Sequence, residues 1–285
     1  MEEPRVRPVV YWELNMKAII TGAISSIVAT VCVLLSRLLF YWVKDRFPAG
    51  ALFGPAIRPN QETHVYIIRM KDTEQSDEYI TPLPQSTVMT DQAAYDTRQR
   101  VPWVASVSET HSVSHIFNVM GQCGKKQNMR LCFVDQEFDR WDVPMFLLGG
   151  SDKANRAFQT CNPVFDFSET PVTLAATGET FRPSNIDKDL GLLQKMTSPS
   201  TGFPIWVAMG WRGNGTTAAT YALNSLWREL GALYGSEPFG ILFETSDREG
   251  WQQLRIRRLY PEPSTTRKIL HPFCWRKIAR MQITE

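Results

Sequence analysis

The pattern of apolar and polar positions begins with one long uncharged run close to the amino terminus. Residues Ala18 to Ser36 carry no charge, and beyond Arg37 the apolar run continues to Val43. A helix of this length covers the roughly 30 Å of hydrocarbon in a bilayer, because a helix rises about 1.5 Å per residue. A signal peptide has a shorter apolar region, with a small-residue cleavage site directly after it. We therefore predict a transmembrane helix over residues 18–43, preceded by an amino-terminal flank of residues 1–17.

The residues around this run predict its orientation. Tyr41 and Trp42, followed by Lys44 and Arg46, are typical of a helix end at a membrane interface. Lys and Arg are slightly more numerous after the run than before it, which favours a cytoplasmic carboxyl-terminal side. The cysteines beyond the run show no close-spaced pairing, as expected in a reducing compartment. The sequence thus predicts a single-pass membrane protein, in contact with membrane lipid, whose soluble domain is cytoplasmic.

Beyond the apolar run, strand and helix patterns alternate. Prolines and glycines predict a juxtamembrane linker without regular structure over residues 44–63. In the following residues 64–260, short apolar runs of strand length alternate with segments of helical period. These runs predict an α/β domain with an open, mostly parallel sheet and an antiparallel hairpin at its edge. The strand patterns lie at 64–70, 144–150 and 205–210, the helical patterns at 108–121 and 216–234, and the hairpin at 239–260.

Composition narrows the class of protein. The chain has 285 residues and a net charge of +2, which lacks the strong basic bias of a nucleic-acid-binding protein. We therefore predict no nucleic-acid partner. The Cys and His spacings match no metal motif, so neither a metal nor a cofactor is predicted. The tail at 261–285 mixes basic and aromatic side chains. This mixture fits contact with an anionic bilayer as well as a terminal helix docked on the domain.

Two glycine-rich turns follow predicted strands. In open α/β sheets, ligands bind where such turns lead into helices, because free backbone amides face outward there. Arg212 adds a side chain that can bind phosphate or carboxylate, and a threonine hydroxyl, from Thr216 or Thr217, is expected to cap the helix. The alternative is that the glycines only make tight turns. The residues predicted to bind ligand are Gly149, Gly150, Asn155, Arg212, Gly213, Asn214, Gly215 and Thr216.

An acidic segment offers a different chemistry. Glu137 and Asp139 lie in a segment that also contains Asp135 and Asp142. A carboxylate there could act as acid or nucleophile toward a glycosidic bond. Because Arg140 lies among these carboxylates, the alternative is a solvated loop with local ion pairs.

The amino-terminal anchor, the linker and the turns at Leu148-Gly149-Gly150 and Gly213-Asn214-Gly215-Thr216 together resemble membrane-tethered nucleotide-sensing or nucleotide-processing proteins of bacterial conflict systems. The α/β part is similar in outline to deoxyribosyltransferase-like domains. This resemblance implies a nucleotide as the ligand, and Glu137 is the nearest candidate for a nucleophile.

These observations predict a membrane-anchored protein whose cytosolic domain binds a small anionic ligand, a nucleotide, as sensor or effector. Gly22 and Ser26 form a small-residue face through which two anchors could pair into a homo-oligomer. Two alternatives remain open. One is a tethered nucleotide hydrolase or N-glycosidase that uses Glu137 or Asp139, and the other is a scaffold that recruits a protein partner to the membrane.

Overall fold

The computed structural model describes residues 8–41, 47–67, 80–82, 104–125, 127–133, 140–167, 171–246 and 250–282. The chain divides into two compact units, Met1–Arg46 and Phe47–Glu285.

The first unit is a single long helix in its described residues, α1 (Pro8–Tyr41), which has 34 residues. Its segment Ile19–Arg37 has a mean hydropathy of 2.2, and none of this segment is buried within the structure. By length and composition, the helix is therefore able to cross a membrane. A signal sequence near an amino terminus has the same properties.

The second unit alternates strands with helices. Its described helices are α2 (Phe47–Phe53), α3 (Val107–Gln122), α4 (Asp152–Thr160), α5 (Gly213–Tyr234), α6 (Thr265–Leu270) and α7 (Pro272–Ala279), and a 3₁₀ turn covers Gly54–Ile57. Its described strands are β1 (Thr63–Ile67), β2 (Ile80–Pro82), β3 (Val104–Ser106), β4 (Met129–Phe133), β5 (Met145–Leu148), β6 (Phe165–Asp166), β7 (Val172–Leu174), β8 (Thr180–Phe181), β9 (Lys188–Thr197), β10 (Pro204–Gly210), β11 (Phe239–Ser246) and β12 (Gly250–Tyr260).

The main sheet has the strand order β12-β11-β9-β10-β5-β1-β4. Strands β4, β1, β5 and β10 are parallel neighbours, whereas β9 is antiparallel to both β10 and β11. Strand β12 pairs antiparallel with β11. Of the seven strands that the described residues form in this sheet, five consequently point in one direction, namely β4, β1, β5, β10 and β11. The predicted α/β class with a mostly parallel sheet is confirmed.

Both faces of this sheet are covered. Side chains alternate along a strand, so Val65 and Ile67 join the core on one face and Tyr66 joins the core on the other. Helices α2, α3 and α5 cover the first face. Helix α4 and the small sheet β6-β7-β8 cover the second face. Three layers result, and loops at the strand ends remain available for a site.

The segment after the first unit differs from the irregular linker predicted there. Residues 47–57 form α2 and the 3₁₀ turn, and Leu52 and Phe53 are completely buried. Phe53 lies 5.3 Å from Trp206 between ring centroids. The prediction that prolines and glycines prevent regular structure is wrong here, because Pro48 lies in the first turn, where a helix tolerates proline. Gly231 of α5 lets α2 approach, since a Cβ at Gly231 would lie 2.8 Å from the carbonyl carbon of Pro48.

Candidate functional site

The two glycine-rich turns lie side by side at the ends of two neighbouring central strands of the sheet. Strands β5 and β10 are parallel neighbours, and Leu148 is paired with Ala208 near their carboxyl ends. The backbone N–H of Gly149 donates to the carbonyl of Ala208 at 2.9 Å, which joins the first turn to the second strand. Gly149 has φ of +73°, a conformation that favours glycine. The structure therefore brings the two predicted turns together at the carboxyl ends of adjacent strands.

The first turn leads into α4 through a capped helix start. The Ser151 side chain accepts a hydrogen bond from the backbone N–H of Ala154 at 3.1 Å. Asn155 lies one turn into this helix and is partly buried, while Gly150 is exposed. One of the free amides expected at this helix start is thus satisfied by the chain itself.

The second turn leads into α5, whose amino-terminal amides already bind a carboxylate. Asp189 of β9 is completely buried, and its carboxylate accepts hydrogen bonds from the backbone N–H of Arg212 at 3.1 Å and of Gly215 at 2.5 Å. A helix amino terminus favours negative charge because unpaired N–H groups and the helix dipole both point there. The anion held by this glycine-rich turn is therefore a side chain of the same protein.

The predicted threonine cap of α5 is wrong. The helix begins at Gly213, so Thr216 and Thr217 lie inside its first turns instead of at the capping position. Both threonines are buried, and the Thr217 hydroxyl contacts the carbonyl oxygens of Ser108 and Gly213 at 3.1 Å each. Asp189 takes the place of the missing cap, because the N-cap residue Arg212 makes no side-chain capping bond.

Close packing explains the glycines of this turn. A Cβ on Gly210 would lie 2.5 Å from the Cα of Gly215, and a Cβ on Gly215 would lie 2.9 Å from a carboxylate oxygen of Asp189. A Cβ on Gly213 would lie 2.6 Å from the hydroxyl of Ser108 on α3. Helix α5 therefore starts in direct backbone contact with the sheet, which only residues without a side chain permit.

A cleft of about 470 Å³ opens beside the second turn. Its walls come from residues 182–189, which lead into β9, and from the turn after β10. The lining contains three cationic side chains, Arg182, Lys188 and Arg212. Trp211 adds an aromatic wall, and its indole N–H is buried without a hydrogen-bond partner in the described part of the chain. Of the predicted ligand-binding residues, Arg212 lines this cleft.

A buried carboxylate on β11 holds one wall of the cleft. Glu244 of β11 accepts hydrogen bonds from the backbone N–H of Ser184 at 3.1 Å and from its hydroxyl at 3.0 Å. Arg257 of β12 lies 3.7 Å from the same carboxylate. Because Glu244 is itself buried in the sheet, the loop that carries Arg182 is tied to a rigid element.

A second polar cluster lies at the opposite ends of the strands, where β1 and β5 begin. His64 is completely buried and shares a hydrogen bond of 3.0 Å with the Tyr66 hydroxyl. Its other ring nitrogen lies 3.0 Å from the carboxylate of Glu62, which Arg140 also contacts at 2.9 Å. Burial raises the pKa of Glu62, but hydrogen bonds and charge from His64 and Arg140 outweigh burial, so this pKa is lowered.

The described end of the acidic segment belongs to this second cluster. Asp142 is exposed and accepts a hydrogen bond from Arg140 at 3.0 Å, which lowers the pKa of Asp142. For Asp142 this is the local ion pair that the sequence offered as an alternative. Glu137 and Asp139 lie outside the described residues, so the hydrolase hypothesis remains a prediction. Among the described residues, no group of three or more His, Cys, Asp and Glu side chains is placed to hold a metal ion.

Sequence reasoning missed most of the residues that shape the cleft. Arg182, Lys188 and Asp189 come from a segment without a recognised motif, and Glu244 lies in a strand whose other residues are mainly apolar. The usable signal was Trp211, a large aromatic residue inside a glycine-rich turn. No protein-family model matches the sequence, and no curated protein matches it significantly. The resemblance to nucleotide-sensing proteins therefore remains a prediction.

Proposed function

We propose that this chain is a single-pass membrane protein whose cytoplasmic α/β domain binds a small anionic ligand of the nucleotide class. The cleft beside the start of α5 carries this proposal, because Arg182, Lys188 and Arg212 line it together with Trp211. Arginine forms paired hydrogen bonds with phosphate, and an indole ring stacks on a nucleobase. The cleft volume also lies within the usual range for small-ligand sites.

In this proposal, the glycine-rich turn has a different role from that of a phosphate-binding loop. Asp189 accepts hydrogen bonds from the amides of Arg212 and Gly215, so the turn positions side chains instead of presenting these two amides to the ligand. Arg212 is exposed and stands at the mouth of the turn, and Trp211 directly precedes it. We therefore assign phosphate binding to the three cationic side chains and base stacking to Trp211.

In this proposal α1 anchors the domain and transmits the response. A single helix makes no pore, so a signal through it acts by changing the association of anchors. The helix segment Ile19–Arg37 has no buried side chains, and a Cβ at Gly22 would meet nothing within 4 Å, so the face of Gly22 and Ser26 is open to a second helix. Ligand binding would then favour or disfavour the homo-oligomer.

The test is ligand binding to the full chain in detergent. Isothermal titration with nucleoside mono-, di- and triphosphates is compared with titration of the matching nucleosides and of inorganic phosphate. We expect a nucleotide to bind more tightly than its nucleoside, and Arg212→Ala to weaken it about tenfold or more, since a hydrogen bond to a charged group contributes about 1.5–3 kcal/mol. Arg255→Ala is the matched control, because Arg255 is an exposed arginine on β12 that does not line the cleft.

Two results would overturn the proposal. One is that no nucleotide binds the wild-type chain. The other is that Arg212→Ala and Arg255→Ala bind a nucleotide equally well, which would move the ligand away from this cleft.

A further inference from the structure

The last two helices present one face to the domain and another to solvent. In α7, Ile278 is completely buried and Trp275 packs against the same core, as does Met281 just after the helix. The opposite face carries Phe273, Arg276 and Arg280, which are all exposed. These positions are three or four residues apart and therefore share one side of a helix. The sequence predicted that the tail either docks on the domain or contacts a bilayer. The inner face of α7 docks on the domain, and its outer face is open for another contact.

The outer face begins with an exposed apolar patch. Ile269, Leu270 and Phe273 are 71%, 67% and 81% exposed. Elsewhere in the described part of the second unit, the exposed large apolar side chains are Phe47 and Ile186, which stand alone. Single exposed apolar residues are common on protein surfaces, but three within five residues indicate a surface that binds something apolar.

Uncompensated positive charge adjoins this patch. Two basic residues of the tail pair with carboxylates, since Lys268 lies 2.9 Å from Glu262 of the tail itself and Lys277 lies 2.7 Å from Glu229 of α5. Arg276 and Arg280 have no ion pair with another described residue. The outer face therefore combines apolar side chains at one end with two cationic side chains along the helix, a combination that fits an anionic lipid surface.

We propose that the outer face of α6 and α7 binds an anionic bilayer surface, with Ile269, Leu270 and Phe273 among the lipid headgroups and Arg276 and Arg280 on lipid phosphates. The inference rests on the proposed membrane anchoring. Only residues 42–46 separate α1 from α2, so an anchored α1 keeps the domain at a high local concentration beside lipid. A weak apolar contact is then sufficient, and the two attachments together orient the domain at the membrane.

The experiment places a photoreactive side chain on this face of the full chain. Phe273→benzoylphenylalanine is reconstituted into vesicles of phosphatidylcholine, alone or with phosphatidylserine, and crosslinked adducts are identified by mass spectrometry. Ile186→benzoylphenylalanine is the matched control, because Ile186 is 82% exposed and belongs to the wall of the cleft, not to the tail. We expect phospholipid adducts at residue 273, several-fold more with phosphatidylserine, and few at residue 186.

A second variant tests the charges. In the benzoylphenylalanine chain, Arg276→Gln and Arg280→Gln are expected to lower the lipid adduct yield in phosphatidylserine vesicles about fivefold for each arginine removed. Three outcomes would overturn the proposal: no lipid adduct at residue 273, equal lipid adduct yields at residues 273 and 186, or adducts at residue 273 that join it to protein. The last outcome would make this face a protein interface.

Alkaline carbonate extraction of the same vesicles tests the anchor separately. Release of the chain would refute anchoring by α1, whereas lipid adducts at residue 273 before extraction would still support the lipid-binding face. Retention of the chain without such adducts would refute the face and leave the anchor.

Discussion

Replacing Asp189 by asparagine removes one negative charge from the start of α5 while keeping the shape of the side chain. In the wild-type chain this carboxylate is completely buried and accepts two backbone hydrogen bonds, from Arg212 and from Gly215. An asparagine amide has one oxygen and one NH₂ group in place of two equivalent oxygens. One of the two backbone N–H groups would therefore face another donor.

The size of the effect follows from these contacts. A hydrogen bond to a charged acceptor contributes about 1.5–3 kcal/mol, and a partly buried charge at a helix end contributes up to about 2 kcal/mol. Asparagine retains one hydrogen bond and loses the charge. We therefore expect Asp189→Asn to lower the free energy of unfolding by about 3 kcal/mol, most of it through the amino-terminal turn of α5.

The assay is urea unfolding of the full chain in detergent, followed by tryptophan fluorescence and extrapolated to water. The matched control is Asp187→Asn, two residues earlier and only partly buried, for which we expect a change within about 0.5 kcal/mol. A free energy of unfolding for Asp189→Asn within that same margin of the wild-type value would refute the assignment of Asp189 as the anion that holds this helix start.

Three further predictions concern packing and pH. Gly215→Ala should lower the free energy of unfolding by about 1–3 kcal/mol, because its Cβ would lie 2.9 Å from the Asp189 carboxylate. Gly121→Ala, where a Cβ meets nothing within 4 Å, should be neutral or stabilising in the same urea assay. Burial lowers the pKa of Lys195 from 10.5 to about 8 although Glu237 raises it, so the unfolded chain binds more protons between these values. Lys195 should therefore make the free energy of unfolding rise by about 3 kcal/mol from pH 8 to 10.5. The variant Lys195→Met should abolish this rise in the same urea assay. Burial and the charge of His111 lower the pKa of His115, so the unfolded chain binds more protons and the free energy of unfolding should fall as the pH drops below 6.5. In the same urea assay, the free energy of unfolding of His115→Phe should fall less over this pH range.

The helices that bound the site were predictable because their patterns are local. The helical patterns at 108–121 and 216–234 correspond to α3 and α5, whose apolar positions repeat with the helical period. The sequence pattern does not predict helix α2, because proline and glycine, here Pro48 and Gly50, usually interrupt regular structure. Helix α2 forms because Leu52 and Phe53 are buried against the sheet, and no local sequence pattern reveals this burial.

Strand β9 was also missed, although it lies between β10 and β11 in the sheet. The polar residues of β9 interrupt the apolar run by which a buried strand is predicted from sequence. The Gln194 side chain bonds the backbone of Phe165 through both its oxygen and its nitrogen, and Lys195 donates to the carbonyl of Gly235 at 3.1 Å. Buried polar groups are tolerated when such partners satisfy them, and these partners lie 29 and 40 residues away along the chain.

By itself, the sequence determined an apolar helix long enough to cross a membrane, an α/β class and two glycine-rich turns after strands, because length, period and glycine content are properties of neighbouring residues. It did not determine what the second turn binds. That was decided by the pairing of β9 with β10, which brings Asp189 beside the amides of Arg212 and Gly215. Sheet pairing joins residues by register and not by distance along the chain, so only the tertiary structure places a carboxylate where the sequence suggested an external anion.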